Sequence, residues 1–252
     1  MTRGVQRAAY EGAGAKVTKA LIALNVAVYV AELAQGSGVN ATRGSIYQTG
    51  ALLANGAKIG DTIVGAATVP PSLHAIGVAQ SEYWRLLTAA FLHYGPFHLL
   101  LNMLALWWFG SLLEQRIGSG KFLLLYVVSG LAGSAGALLL DPLVPTVGAS
   151  GAIFGILGAG FVLERQRDYV FGGSALAIIV INLVFTFSIS NISIGGHIGG
   201  LIGGAACALA MTRFGRVGAA YGRPGAIGIA AMIGVGIFSV AVAYWKAKGY
   251  AA

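Results

Sequence analysis

A serine and a histidine in this sequence are each set among small residues within long uncharged stretches. Ser150 lies in the tetrapeptide Gly148-Ala149-Ser150-Gly151, and His197 lies between the glycine pairs 195–196 and 199–200. A serine hydroxyl becomes a good nucleophile when a neighbouring base removes its proton, and histidine is the side chain whose pKa best suits that task. If the fold brings them together, the two residues form a minimal pair for acyl transfer.

A second set of polar residues surrounds a predicted helix start at Pro96. Proline favours the first helical position, because its missing N–H would have no partner there. His98 then lies in the first turn, Asn102 lies four residues later on the same face, and His93 precedes the helix. Taken alone, His98 and Asn102 are better explained by interhelical hydrogen bonds worth about 0.6 kcal/mol per contact.

Composition indicates that membrane-spanning helices position these residues. Hydrophobic residues make up 57% of the chain, charged residues make up 10%, and the mean hydropathy is +0.78. An apolar run at about 20–35 is followed by uncharged windows that each hold at least one crossing of roughly 20 residues: 86–113, 122–140, 142–163, 169–212 and 224–245. The window 169–212 is long enough for two crossings around a polar break at 188–193. The sequence therefore predicts an all-α bundle of seven spans.

The charge distribution predicts the orientation of this bundle. Eleven of the 16 Lys and Arg residues fall on the side of the N-terminus, which the positive-inside rule places in the cytoplasm. The net charge of +8 is thereby explained without a nucleic-acid partner. The first run has no cleavage signature and is predicted to be a retained span. A large outer loop, about 36–92, carries turn signals and no sustained helical stripe.

Orientation and span parity place His98, Ser150 and His197 at similar depths near the outer, non-cytoplasmic face. Three further residues have simpler predicted roles. Glu32, near the end of the first span, is expected at the membrane interface, or else its carboxylate is satisfied by other protein groups. Arg85 in Glu82-Tyr83-Trp84-Arg85 is also expected at the interface. Cys207, the only cysteine, is expected to be a small packed side chain.

Two glycine strips predict how the helices of Ser150 and His197 meet. Glycines at 196, 200 and 204 leave a face without side chains, and Gly151, Gly155 and Ala159 form a matching face on the other helix. The windows 142–163 and 169–212 contain no Asp or Glu, so a group other than a carboxylate must orient His197. Phe154, one turn after Ser150, is expected to pack against the imidazole ring or, equally, against core or lipid.

These motifs together resemble those of the rhomboid intramembrane serine proteases. Gly148-Ala149-Ser150-Gly151 matches the GxSG motif of that family, His93…His98…Asn102 matches its HxxxxHxxxN pattern, and His197 matches its histidine in a glycine-rich helix. Trp84-Arg85 and Glu114-Gln115-Arg116 match two further features. The resemblance covers about residues 82–213, and Phe154 stands where the family often has tyrosine.

The resemblance implies a six-helix catalytic core over residues 20–213, with Ser150 as nucleophile and His197 as general base and acid. It implies an oxyanion hole formed by His98, Asn102 and the backbone at Ser150 and Ala149, with no metal and no cofactor. The supporting positions are Gly148, Gly151, His93, Phe154, Gly196 and Gly200.

The resemblance also implies transmembrane-protein substrates and a location in the plasma membrane, with the active site toward the non-cytoplasmic side. Residues 1–19 form a short cytoplasmic segment. Residues 214–252 add an inner loop, a seventh helix outside the core, and a short tail.

Four other functions are weighed against this one. A transporter would require intramembrane charges or repeated halves, and a metal site of His93, His98 and His197 would lack both a HExxH motif and a carboxylate. A soluble hydrolase would require glycine where Ala152 stands. A non-catalytic rhomboid-like protein that binds or escorts membrane clients is the main alternative, although it has no need of the serine and histidine.

Overall fold

The computed structural model describes residues 14–35, 39, 42–188, 192–214 and 225–250, and these residues are mostly helical. A helix lies at each predicted span, which confirms the all-α membrane bundle. The seven long helices are α1 (Lys16–Ala34), α4 (Pro96–Ile117), α5 (Ser119–Leu140), α6 (Ser150–Arg165), α7 (Ala175–Ser188), α8 (Ile194–Phe214) and α9 (Ala226–Lys248). Most of the predicted N-terminal segment, the middle of the polar break at 188–193, and most of the inner loop after α8 lie outside the described residues.

Five of these helices, α1, α4, α5, α8 and α9, are long and apolar enough to cross a membrane. The other two are shorter, with 16 residues in α6 and 14 in α7. At 1.5 Å per residue they extend about 24 and 21 Å, less than a hydrocarbon core of about 30 Å. Helix α6 is buried along nearly all of its length, so neighbouring helices rather than lipid cover it.

The centre of the bundle is formed by α5, α6 and α8, whose backbones touch where glycines face each other. A Cβ atom added at Gly200 would overlap the carbonyl of Gly151, and one at Gly204 would overlap the carbonyl of Gly155. The predicted contact between the two glycine strips is therefore confirmed. Helix α5 joins them in the same way, because a Cβ at Gly136 would overlap the carbonyl of Gly195. Such small residues allow close approach between membrane helices.

The end of the bundle opposite Ser150 is fastened by the buried carboxylate of Glu114, in the last turn of α4. It accepts hydrogen bonds from the backbone N–H groups of Val17 (3.0 Å) and Thr18 (2.7 Å), and from the hydroxyls of Thr18 (2.8 Å) and Ser119 (2.6 Å). First-turn N–H groups have no partners within their own helix, and the positive helix end favours an anion. Glu114 thus joins α1, α4 and α5.

The loop between α1 and α4 is folded rather than extended. It contains the short helices α2 (Gly44–Gly50) and α3 (Arg85–Thr88) and an antiparallel sheet in the order β2-β1-β3. The strands are β1 (Gly56–Ile59), β2 (Thr62–Gly65) and β3 (Ala75–Ile76), with Gly56 opposite both Gly65 and Ile76. This small sheet is an addition that the sequence did not predict.

Arg85, expected at the membrane interface, is buried instead, and Glu32 follows the alternative in which other protein groups surround its carboxylate. Arg85 is fully buried, and its guanidinium donates to Glu82 (2.7 Å) and to the carbonyls of Ala51 (2.7 Å) and Gln48 (2.8 Å). Its planar group of donors matches these three acceptors, so Arg85 ties α3 to the end of α2. Glu32 is also buried and lies beside the backbone of His93. Cys207 is buried, as expected.

Candidate active site

The folded outer loop holds the segment that leads into Ser150. Leu52 and Thr146 exchange two backbone hydrogen bonds (3.0 and 2.8 Å), and the N–H of Ala54 donates to the carbonyl of Pro142 (2.6 Å). Closer to the serine, the N–H of Gly148 donates to the carbonyl of Ala89 (2.8 Å). The loop between α1 and α4 therefore fixes the position of the chain just before α6, and this is a structural role for the loop.

Gly148 occupies a position that only glycine suits. Its φ of +129° lies in a region that residues with a Cβ rarely adopt. A Cβ built there would lie 2.8 Å from Cε1 and 3.0 Å from Nε2 of His98, and 3.6 Å from the Oγ of Ser150. The imidazole edge of His98 and the Ser150 hydroxyl therefore face the same small space next to Gly148.

The surroundings of His98 determine which ring nitrogen carries its proton. The backbone N–H of Tyr94 donates to Nδ1 of His98 (3.3 Å), and the Tyr94 ring stacks on the imidazole with centroids 5.7 Å apart. Because Nδ1 accepts a hydrogen bond, the proton of the neutral ring is on Nε2. His98 thus presents an N–H donor toward Gly148 and Ser150.

His93 and Asn102 each contact His98, the first through its ring and the second through a hydrogen bond to the backbone. The ring of His93 is buried 5.1 Å from that of His98, and burial, with the neighbouring His98, lowers the pKa of His93 to about 3. His93 is therefore neutral at physiological pH. The Asn102 amide donates one hydrogen bond to the His98 carbonyl (2.9 Å), and its second N–H is left for another acceptor. Among the described residues, neither His93 nor Asn102 is hydrogen-bonded to Ser150.

His197 is the fourth residue of α8 and is almost fully buried. Its ring stacks on Phe154, with centroids 4.1 Å apart and planes inclined by 18°. Phe154 lies one turn after Ser150, the first residue of α6. The expected contact between Phe154 and His197 is therefore present, and it places the imidazole on the face of α6 that carries Ser150. Close contact between Gly151 and Gly200 maintains this arrangement.

One polar contact of His197 was missed by the sequence analysis. The hydroxyl of Thr186, in the last turn of α7, lies 2.7 Å from Nδ1 of His197, and both residues are buried. A usable signal for their depth exists, because positions 186 and 197 lie on opposite sides of the polar break at 188–193. Residues that flank a turn between antiparallel helices lie at similar depth.

Taken together, the geometry brings the Ser150 hydroxyl and the N–H donor of His98 to one space beside Gly148, and it places the buried His197 imidazole on the face of α6 that carries Ser150. Ser150 and Ala149 stand at the start of α6, where backbone N–H groups lack helical partners and the helix dipole is positive. Negative charge that develops next to Ser150 would be stabilised there. Such an arrangement is suited to acyl transfer through a tetrahedral intermediate.

Known proteins that are similar to this chain include proteins named as rhomboid proteases. A family model described as the rhomboid domain matches residues 80–214. The rhomboid protease GluP of Bacillus subtilis is 45% identical over 168 residues, which is 62% of this chain and 33% of that protein. The putative rhomboid protease YdcA of the same organism is 38% identical over 149 residues, 57% of this chain and 71% of that protein.

A third relative has a different description. The inactive RHOMBOID-like protein 8 of Arabidopsis thaliana is 32% identical over 105 residues, 42% of this chain and 30% of that protein. The matched part of this chain thus spans about a third of GluP and of the Arabidopsis protein, and most of YdcA.

Proposed function

The chain belongs to the rhomboid family, and from this premise we propose that it is an intramembrane serine endopeptidase that cleaves transmembrane segments of other membrane proteins. Its multiple apolar helices make it an integral, multi-pass membrane protein. The observation that carries the proposal is the grouping of Ser150, the Nε2 edge of His98, and His197 stacked on Phe154. No metal or cofactor takes part in the proposed chemistry.

In the proposed mechanism, Ser150 attacks the peptide carbonyl while His197 accepts the hydroxyl proton. His197 then donates this proton to the leaving amine, and an acyl-enzyme remains on Ser150. A water molecule attacks the acyl-enzyme with His197 again as general base, which releases the second product and restores the serine. Hydrolysis of the acyl-enzyme requires water beside Ser150. Ser150 is partly exposed at the start of α6, which gives water access to it.

The oxyanion of the tetrahedral intermediate would be stabilised by His98 Nε2–H, the free N–H of Asn102, and the backbone at Ser150 and Ala149. Loss of one such donor costs about 10²–10³-fold in kcat. We therefore expect His98→Ala and Asn102→Ala each to lower kcat by such a factor, with little change in KM, in cleavage assays with reconstituted protein. Unchanged kcat in both folded variants would remove these residues from the oxyanion hole.

A second candidate function is the binding or escort of membrane clients without cleavage. It is favoured by one observation, namely that a relative covering 42% of this chain is named inactive. The presence of Ser150 and His197 in facing positions supports cleavage over this alternative, because a binding protein has no need of either residue.

The first test is active-site labelling. We expect a fluorophosphonate or isocoumarin probe to label purified protein at Ser150, as mapped by mass spectrometry, and a reconstituted single-span substrate to be cleaved. Both activities should survive EDTA, because the proposed chemistry uses no metal. If chelation stops cleavage and added zinc restores it, the alternative of a metal site formed by His93, His98 and His197 would be supported instead. A folded, client-binding protein without labelling or cleavage would support the second candidate.

A separate prediction concerns the orientation in the membrane. We propose a cytoplasmic N-terminus, because eleven of the 16 Lys and Arg residues fall on that side. We propose that the active site lies near the outer face of the plasma membrane, because His98, Ser150 and His197 all lie in the first turn of their helices. One turn is about 5 Å deep in a hydrocarbon core of about 30 Å. Ser150→Cys in a Cys207→Ala background should react with an impermeant maleimide added outside cells. Reaction only after permeabilisation would reverse the orientation.

A further inference from the structure

The hydroxyl of Thr186 sits between two partners in a buried position. Its Oγ1 atom lies 2.7 Å from Nδ1 of His197 and 2.8 Å from the carbonyl oxygen of Asn182, one turn earlier in α7. Thr186 is 2% exposed and is the only polar residue among the fully buried ones on α7. A buried hydroxyl without hydrogen bonds is costly, so both contacts matter to its energy.

The number of hydrogen atoms available determines which group donates and which group accepts in these two contacts. A threonine hydroxyl has one hydrogen to donate and can also accept. The Asn182 carbonyl can only accept, so the contact of 2.8 Å requires that the hydroxyl hydrogen of Thr186 point to it. Toward His197 the same oxygen can then act only as an acceptor. The imidazole must therefore carry its hydrogen on Nδ1, which leaves Nε2 with a free lone pair.

We propose that Thr186 is a positioning residue that holds His197 in the tautomer with Nδ1 protonated and Nε2 free to accept the proton of Ser150. This inference rests on the proposed function for its consequence in catalysis, although the tautomer itself is a property of the resting protein. Thr186 would fill the place that a carboxylate takes in other serine hydrolases. It does so without bringing a charge into an apolar helix, where a charge is costly.

The surroundings of His197 explain why one hydroxyl is sufficient. Phe154 covers one face of the imidazole and fixes the plane of the ring. Stacking alone does not determine which ring nitrogen lies next to Thr186, because a flipped imidazole would stack on Phe154 equally well. A directional bond at Nδ1 is therefore needed to select the tautomer and the orientation of Nε2. His98 has the opposite arrangement, since its Nδ1 accepts the N–H of Tyr94 and its Nε2 donates.

A simpler role must be separated from this one, because the bond also connects α7 to α8. Hydrogen bonds between membrane helices contribute about 0.6 kcal/mol on average. A purely structural role predicts that Thr186→Val lowers stability and leaves the chemistry of folded protein unchanged. A positioning role predicts a loss in kcat at constant KM, and recovery when only the hydroxyl is restored.

The kinetic test compares a substitution that removes the hydroxyl at nearly constant size with one that keeps the hydroxyl. In full-length reconstituted protein, Thr186→Val should lower kcat about tenfold, the size expected for loss of one neutral hydrogen bond, with KM unchanged. Thr186→Ser, which keeps the hydroxyl, should restore most of the rate. Equal kcat in the valine variant and the unsubstituted protein, or no recovery with serine, would overturn the proposal.

The second test does not depend on protease activity. Nitrogen NMR of histidine-labelled protein in detergent distinguishes protonated from unprotonated ring nitrogens, and comparison with His197→Ala identifies the signals of His197. We expect Nδ1 of His197 to be protonated in the resting protein, and this preference to disappear in Thr186→Val. An unprotonated Nδ1, or an unchanged tautomer in the valine variant, would refute the inference even if cleavage is observed. The expected tautomer in a protein that cleaves nothing would instead refute the proposed function alone.

Discussion

Ser150→Ala and His197→Ala are each expected to reduce cleavage by about 10⁴-fold or more, because a nucleophile and its base act as one unit. For the same reason, the double variant should be no slower than either single variant. Initial rates with a reconstituted transmembrane substrate measure all three. Ser150→Ala removes only one oxygen atom, so thermal unfolding in detergent should show that its bundle is retained. The same measurement checks that His197→Ala, which removes a buried ring, is still folded.

Two substitutions provide matched controls for the dyad. His74 is exposed in the outer loop, and Ser174 is exposed just before α7, so His74→Ala and Ser174→Ala should keep full activity. A folded Ser150→Ala protein that cleaves at the normal rate would disprove the serine mechanism. Losses that multiply in the double variant would show that the two residues act independently, contrary to the proposed proton transfer.

Gly200→Ala is expected to destabilise the bundle by about 3 kcal/mol, the upper part of the range for overpacked cores. A single methyl at this position would overlap the backbone carbonyl of Gly151. The backbone of a helix cannot relieve this overlap by changing rotamer, as a side chain can. The helices α6 and α8 must therefore separate, which also moves His197 away from Ser150. Unfolding by SDS titration would measure the loss in stability, and probe labelling would measure the loss at the site.

Gly234→Ala is the matched control, because a Cβ at Gly234 in α9 meets no atom within 4 Å. Here the helix propensity of alanine should increase stability by up to about 1 kcal/mol. If Gly200→Ala is as stable as Gly234→Ala, the close packing of α6 on α8 is not what holds the two proposed catalytic residues together.

Local signals in the sequence predicted much of this fold. Pro96 predicted the start of α4, which begins at that residue. The spacing of four between Gly151 and Gly155, and between Gly200 and Gly204, predicted which helix faces meet. These features depend on residues close together in the chain or on a helical period, both of which are visible in a single sequence.

Other features depend on contacts that no local pattern encodes. The strands β1, β2 and β3 have four, four and two residues, too few for a clear alternation. Arg85 was expected at the membrane surface, but its partners Ala51 and Gln48 lie more than 30 residues away. The bond from Thr186 to His197 depends on the register of two helices across a turn, for which the sequence indicates only that the two residues lie at similar depth. The exact pairing of buried polar groups was thus the part that could not be predicted.

The contacts of Glu114 have a consequence for the order in which the protein is made. Val17 and Thr18 precede Glu114 by 97 and 96 residues, so during translation α1 emerges long before the carboxylate that caps it. Until α4 follows, the first N–H groups of α1 can be satisfied only by water or lipid headgroups. The cap on the first turn of α1 can therefore form only after the last turn of α4, which carries Glu114, has been synthesised.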